Sequence, residues 1–172
     1  RAGNVVKTTD PEGNVTRKEF DHKGRVLVSI DALGARTERT YNAAGQLASL
    51  TDARGNSTSY VYDDRGRQVA VVDPLGYADV TEFDEQGRVV ARIDKEGYAT
   101  TFVYKPNSDL VIEQIDARGN VTRTFYDFAD RIVAVVDPLG NRTEFQYDEY
   151  GLQIVVRRYL GVRPFEKRTI YD

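Results

Sequence analysis

The chain has 172 residues, 40% of them hydrophobic and 30% charged, with a formal net charge of −3. That mildly acidic balance argues against a nucleic-acid partner, which demands clustered cations. Cysteine, methionine and tryptophan are absent. Disulfides, thiolate metal sites and a thiol nucleophile are thereby excluded, and no run of about 18 apolar residues is present to cross a membrane as a helix.

From the first beat onward, Asp or Asn returns every ten or eleven residues, in most cases with Gly three residues later. Asp10 and Gly13 open a run that carries Thr16 and ends at Phe20; Asp21 and Gly24 then turn the chain into the aliphatic run Val26-Leu27-Val28 and Ile30. Asp31 and Gly34 start the cycle again, through Thr37 to Tyr41, with Asn42 and Gly45 at the return. The third copy begins at Asp52 and Gly55, carries Thr58, and reaches Tyr62 before Asp63 and Gly66. The fourth runs from Asp73 and Gly76 to Phe83, Asp84 and Gly87, with Asp79 in the threonine slot, and the fifth from Asp94 and Gly97 through Thr100 to Tyr104. Asp116 and Gly119 lead through Thr122 to Tyr126 and Asp127, and Asp137 and Gly140 through Thr143 to Tyr147, Asp148 and Gly151. The seven starts lie 21 residues apart, with one residue inserted after Asp94. Such an array buries surface by stacking one supersecondary unit on the next.

Each copy holds a polar, Thr-rich run ending in an aromatic, such as Asn56–Tyr62, and an aliphatic run, such as Arg131–Val136. β-branched and aromatic runs of this length, bounded by Asp and Gly, are strand signals, and nothing sustains a helical apolar period. Asp or Asn at the first turn position accepts hydrogen bonds from the following backbone, Pro11, Pro74 and Pro138 fit the first central position, and Gly takes the left-handed conformation. Connections so short join antiparallel neighbours. The expected fold is all-β, an antiparallel meander of about 14 short strands from the 21-residue repeats, forming a curved ribbon, because long twisted sheets curl. Apolar residues stand on both faces of the aliphatic runs, as at Val26, Leu27, Val28 and Ile30, so neither face is plainly the solvent side.

Phe20, Tyr41, Tyr62, Phe83, Tyr104, Tyr126 and Tyr147 are expected to lie two strands apart at one height. They would form a structural aromatic ladder that fixes register, since a one-residue slip turns every ring to the other face. The turn pairs Asp10/Gly13, Asp31/Gly34, Asp52/Gly55, Asp73/Gly76, Asp94/Gly97, Asp116/Gly119 and Asp137/Gly140 are assigned to turn formation.

The repeat breaks in three places. Lys105-Pro106-Asn107-Ser108-Asp109 has no Gly and one extra residue, so a longer loop or bulge is expected. In Asp127-Phe128-Ala129-Asp130, Asp130 takes the left-handed slot. After Gly151 the pattern drifts until Tyr171-Asp172, which divides the chain into tandem repeats at 1–156 and an irregular final repeat, or the start of a further segment, at 157–172. The chain opens at Arg1 in mid-pattern, with no signal peptide before the array, which reads as a piece of something longer.

Paired carboxylates serve glycosidases and metal sites, yet these recur at turns and are spread along two edges. Asp63-Asp64 and Asp148-Glu149 lack the pattern of calcium-binding repeat loops. His22, the sole histidine, lies in a turn with no catalytic triad around it. No P-loop, dinucleotide or zinc signature occurs. The expectation is no enzyme activity, no cofactor and no metal. A Tyr row beside threonines offers an alternative, an extracellular carbohydrate- or protein-binding adhesion module with glycan partners.

Tyr62-Asp63, Tyr126-Asp127, Tyr147-Asp148 and Tyr171-Asp172, with Phe20-Asp21, Tyr41-Asn42 and Phe83-Asp84 as variants, resemble the YD repeat of Rhs proteins. The combined unit is nearly intact from Gly55 to Arg67, and residues 10–156 fit it. Relatives in this family include bacterial polymorphic toxins, the B and C components of insecticidal toxin complexes, and teneurins. The resemblance implies a strip of a β-spiral shell that encapsulates a C-terminal toxin, secreted or at the bacterial cell surface. Its partners would be the remainder of the shell, the enclosed toxin domain and secretion machinery. The family's D-P-x-G-L self-cleavage motif is matched in its first four residues by Asp73-Pro74-Leu75-Gly76 and Asp137-Pro138-Leu139-Gly140, but Tyr77 and Asn141 follow where Leu is required, and both sites read as ordinary turns. A strip cut from such a shell exposes edge strands, which favours edge-to-edge self-association.

Overall fold

The computed structural model describes residues 4–160 and, as backbone, 163–170. The chain divides into two compact units, Arg1–Thr81 and Glu82–Asp172. In the first, β1 (Val5–Thr9), β2 (Val15–Phe20), β3 (Val26–Ile30), β4 (Arg36–Tyr41), β5 (Leu47–Thr51), β6 (Ser57–Tyr62), β7 (Gln68–Val72) and β8 (Ala78–Phe83) follow in order, β8 running past the division. Each pairs antiparallel with the next. The second unit repeats the arrangement with β9 (Val89–Ile93), β10 (Ala99–Tyr104), β11 (Val111–Ile115), β12 (Val121–Tyr126), β13 (Ile132–Val136), β14 (Arg142–Tyr147), β15 (Gln153–Leu160) and β16 (Arg163–Ile170). Among the described residues there is no helix. The fold is an all-β antiparallel meander.

Strands β2 to β15 are the fourteen that the seven beats specify, and β1 and β16 flank them. The aliphatic strands from β3 to β13 hold five residues and the Thr-rich strands from β2 to β14 hold six, whereas β15 and β16 extend to eight. Tyr171-Asp172 lies outside the described residues.

Every described hairpin closed at an aromatic contains a bulge. Glu19 faces Val28 while Phe20 faces Val26, so Leu27 is skipped. The same shift skips Ala48, Val69, Ile112, Val133 and Ile154 in later copies. An extra residue on one strand bends it and increases its local twist. It also reverses the face alternation within the aliphatic strand, which is why those strands carry apolar side chains on both sides. The intervening hairpins pair without a shift, as in Val28 with Glu38 and Ile30 with Arg36.

The turns share one backbone geometry. At Asp52 the Gly55 amide donates to the Asp52 carbonyl at 3.0 Å, and the Asp52 amide donates to the Asn56 carbonyl at 2.9 Å. Gly55 stands at φ 85°, in the left-handed region. Two positions adopt that conformation without glycine, Asn107 at φ 56° and Asp130 at φ 59°. The expected longer loop is present at the first, where the Lys105 amide reaches the Leu110 carbonyl, five residues on, at 2.8 Å.

Little of this sheet is dry. Among the described residues the buried apolar side chains are Val28, Ala91, Ala134 and Val155, each the third residue of its aliphatic strand. Ala134 lies between Phe125 and Glu144 on its two neighbouring strands. Burial is thus lateral, by neighbours within the layer, and the backbone ladder carries a larger share of the stabilisation than a stacked core would.

A side chain added at residue 55 would meet nothing within 4 Å. Gly55→Ala is therefore expected to cost about 1–2 kcal/mol through backbone strain alone, whereas Asn107→Gly, which removes such strain from a tolerant residue, should stay within about 0.5 kcal/mol of neutral or stabilise slightly. Urea denaturation of both variants measures the difference.

Candidate functional site

The chemistry-bearing groups of this chain gather at the turns, so the site is a repeated one. Each turn aspartate uses one oxygen to hold the backbone. Asp52 Oδ1 accepts the amides of Arg54 at 2.8 Å and Asn56 at 2.9 Å, and Asp31, Asp94 and Asp148 do the same for the amides two and four residues on. At eight of the turns the second oxygen takes a side chain. On the edge of the Asp52 turn the donor is an asparagine four residues later, with Asn14, Asn56, Asn120 and Asn141 giving Nδ2 to Asp10, Asp52, Asp116 and Asp137 at 2.7–2.9 Å. On the Tyr-Asp edge it is an arginine: Arg25, Arg67, Arg88 and Arg131 give Nε to Asp21, Asp63, Asp84 and Asp127 at 2.7 Å.

Those arginines also reach the next repeat. The guanidinium carbon of Arg25 stands 4.4 Å from the centre of the Tyr41 ring, that of Arg88 4.5 Å from Tyr104, and that of Arg131 4.7 Å from Tyr147. A cation over an aromatic face is attracted by the ring quadrupole, by about 0.5–1 kcal/mol where exposed. Arg88 Nη1 further donates to the Ser108 carbonyl at 2.6 Å, and Gln46 Nε2, in the corresponding slot, to the Gly66 carbonyl at 2.7 Å.

The tyrosines return the link. Tyr41, Tyr62, Tyr104, Tyr126 and Tyr147 donate their hydroxyls to the carbonyls of Val26, Leu47, Val89, Val111 and Ile132, each fifteen residues earlier, at 2.7–3.0 Å. All seven aromatics of the row, Phe20 and Phe83 included, are half-buried. The rings are therefore held at one height, each against the hairpin before it.

Hydrogen bonding lowers the carboxyl pKa values at several turns. At Asp10, Asp52, Asp116 and Asp137 the largest cause is the asparagine side chain. At Asp127 it is the Arg131 amide, and at Asp21 the Arg25 amide brings the value to about 2. At Asp63 and Asp84 desolvation is the largest single effect and pushes upward, but the amide and guanidinium of Arg67 or Arg88 together outweigh it. These groups stay ionised well into acid.

The structure brings each Asp–Gly pair together within its own turn and leaves the turns of the two edges apart. Asp73 and Asp137, the residues matching the start of the self-cleavage motif, hold the amides of Leu75 and Tyr77, and of Leu139 and Asn141, like any other turn. Among the described residues no group of three or more His, Asp or Glu side chains is placed to hold a metal, and His22 is exposed. The partners of Arg25, Arg67, Arg88 and Arg131, and of the asparagines on the opposite edge, are not legible in the local sequence; their signal is recurrence four residues after a turn aspartate.

Removing one hydroxyl isolates one inter-repeat bond: Tyr62→Phe is expected to lower stability by about 1 kcal/mol, read by chemical denaturation. The depressed carboxyl values also fix the acid response. A group whose folded pKa lies below its unfolded value, about 3.9 for Asp, contributes stability that is present above the unfolded pKa and lost as pH falls through the folded one. Thermal midpoints should thus hold from neutral pH to about 5 and decline below about 4, with the decline continuing toward pH 2. Circular dichroism melts across that range measure it.

The sequence model of the RHS Repeat family matches residues 1–40, 41–78 and 126–159. No curated protein matches. Among solved structures, the chain is similar to part of the Tc holotoxin pore of Photorhabdus luminescens, with a TM-score of 0.69 at 15% identity over 94% of this chain and 10% of that one. The TcdB2-TccC3 complex gives a TM-score of 0.56 at 16% identity over 99% of this chain and 12% of that one. The TcdB2-TccC3-Cdc42 complex gives 0.54 at 18% identity over 99% and 11%. The chain thus spans about a tenth of the length of these structures, and at such identities the likeness is one of fold. With its matched segments covering well over half of the sequence, the chain belongs to the RHS repeat family.

Proposed function

We propose that this chain is a stretch of repeat wall from an Rhs-type secreted toxin, part of a hollow β-shell around a C-terminal toxin domain, and that its work is to exclude solvent and proteases. The observation that carries this reading is the way hairpins are bound to their neighbours: five tyrosine hydroxyls to the carbonyls fifteen residues back, and three arginines onto the following ring. The Asp–Gly turns and the aromatic row are, on this reading, structural residues that set the corners and pin register. A bulge in each described aromatic hairpin supplies a regular bend, which a curved ribbon needs.

Catalysis has no support in the site, because the turn carboxylates are committed to backbone amides and neighbouring side chains. Sugar binding by the aromatic row is likewise disfavoured, since three of its rings carry a guanidinium on one face and five hydroxyls are engaged. Its partners would be the rest of the shell and the enclosed domain, outside the producing cell.

Limited proteolysis of the intact protein tests the proposal. The segment that follows the repeats is expected to resist a broad-specificity protease while the wall is folded, and to be cleaved at least tenfold faster once mild denaturant opens it. Equal cleavage rates in the two conditions would refute an enclosing role.

A further inference from the structure

We infer that the second unit carries a weak joint, on its Tyr-Asp edge between the β10–β11 hairpin and the β12–β13 hairpin, and that the unit opens there before it opens between β13 and β14. At the two flanking turns a single arginine closes its own turn and covers the next ring. Arg88 binds Asp84, lies over Tyr104 and holds the Ser108 carbonyl. Arg131 binds Asp127 and lies over Tyr147. Between them the turn is altered at three defining positions. Lys105 stands where the aspartate belongs, Leu110 where the arginine belongs, and Asn107 supplies the left-handed residue without glycine.

The consequences are chemical. Leu110 has no cation to place on the Tyr126 ring and no donor to pass to the following turn, so one of the two inter-repeat links is lost, while the Tyr126 hydroxyl keeps its bond to the Val111 carbonyl at 2.9 Å. Two ion pairs stand in. Lys105 Nζ meets Asp130 Oδ1 at 2.9 Å with both side chains largely exposed, and Arg123 meets Glu113 at 2.8 Å with Arg123 more than half exposed. Pairs of that kind contribute little and are screened by salt. A groove of about 330 Å³, lined by Ile112, Glu113, Arg123 and Phe125 among others, opens beside the bulge residue of β11. Contacts that would resist opening are missing on that side.

The opposite end of the same strand pair is closed normally. Asp116 holds the amides of Arg118 and Asn120 and the Asn120 side chain. Opening therefore starts at the Tyr-Asp edge and separates β11 from β12 along their paired residues, up to the Asp116 turn, which stays closed. In an array whose stability is a sum of repeat and nearest-neighbour terms, losing one neighbour term lowers the local opening free energy without unfolding the rest.

Amide hydrogen exchange in the intact protein tests this, with the joint between β13 and β14, where Arg131 covers Tyr147, as the internal control. Amides of 113–115 and 121–123 should exchange about tenfold faster than those of 134–136 and 142–144. The double variant K105D/L110R, which restores the acid and the cation, should slow exchange at 113–115 and 121–123 by a similar factor, and Arg131→Leu should speed exchange at the control joint. Equal exchange at the two joints of the unaltered protein would overturn the inference. So would an accelerated first joint that K105D/L110R leaves unchanged in a folded protein.

Discussion

One carboxylate oxygen receiving two backbone amides is the contact on which this sheet depends. A five-residue corner leaves the amides two and four residues beyond its first position without ladder partners, and a backbone donor must be matched by something. Asp Oδ1 takes both, as Asp63 does for Arg65 and Arg67 at 3.0 and 2.9 Å. The chain is thus turned through a fixed angle by its own local residues, without any distant contact, and that angle sets the register in which a strand of five or six residues meets its neighbour.

The second carboxylate oxygen converts a local corner into a connected array. On one edge it binds asparagine at four of the turns, and the matter ends within the turn. On the other it binds arginine, whose guanidinium is long and flat enough to cover the ring of the next repeat while its Nε stays on the aspartate. A lysine in that slot could not do both, since it offers a point charge rather than a planar fork. Coupling therefore runs along the Tyr-Asp edge, and the two edges of the ribbon have different mechanical characters although their backbone turns are alike.

Much of this architecture could be read from spacing. Asp–x–x–Gly at a fixed interval, with short β-branched runs between, specifies corners, antiparallel pairing and strand number with little ambiguity, and the left-handed slot falls correctly even on Asp130. What could not be read has a physical reason in each case. The position of the bulge leaves no mark because the skipped residue is as apolar as its neighbours: Val133 sits between Ile132 and Ala134 in a run that stays hydrophobic whichever face each residue takes. The arginine escaped because its partners are the acid four residues before it and the ring sixteen after. A charged residue after glycine at a turn reads as solvated until the hairpins are laid side by side. The tyrosine hydroxyl is hidden likewise, since its acceptor is a main-chain carbonyl that any residue could supply.

Phe20 and Phe83 bring out what the hydroxyl adds. They fill the ring position without a donor, so packing alone suffices for a repeat to form, and the hydroxyl is an increment laid on top of it. That ordering suits a structure with almost no dry interior. In a globule a lost hydrogen bond is cushioned by the core around it, but here the described side chains that are fully sheltered are few and small. Each repeat can lean only on the one before and the one after. Stability then grows with the number of intact joints rather than with the volume enclosed, and a defect stays where it is made. A sheet assembled on this principle can be lengthened by duplicating repeats without redesigning a core, because no part of it requires knowledge of any repeat beyond its neighbours.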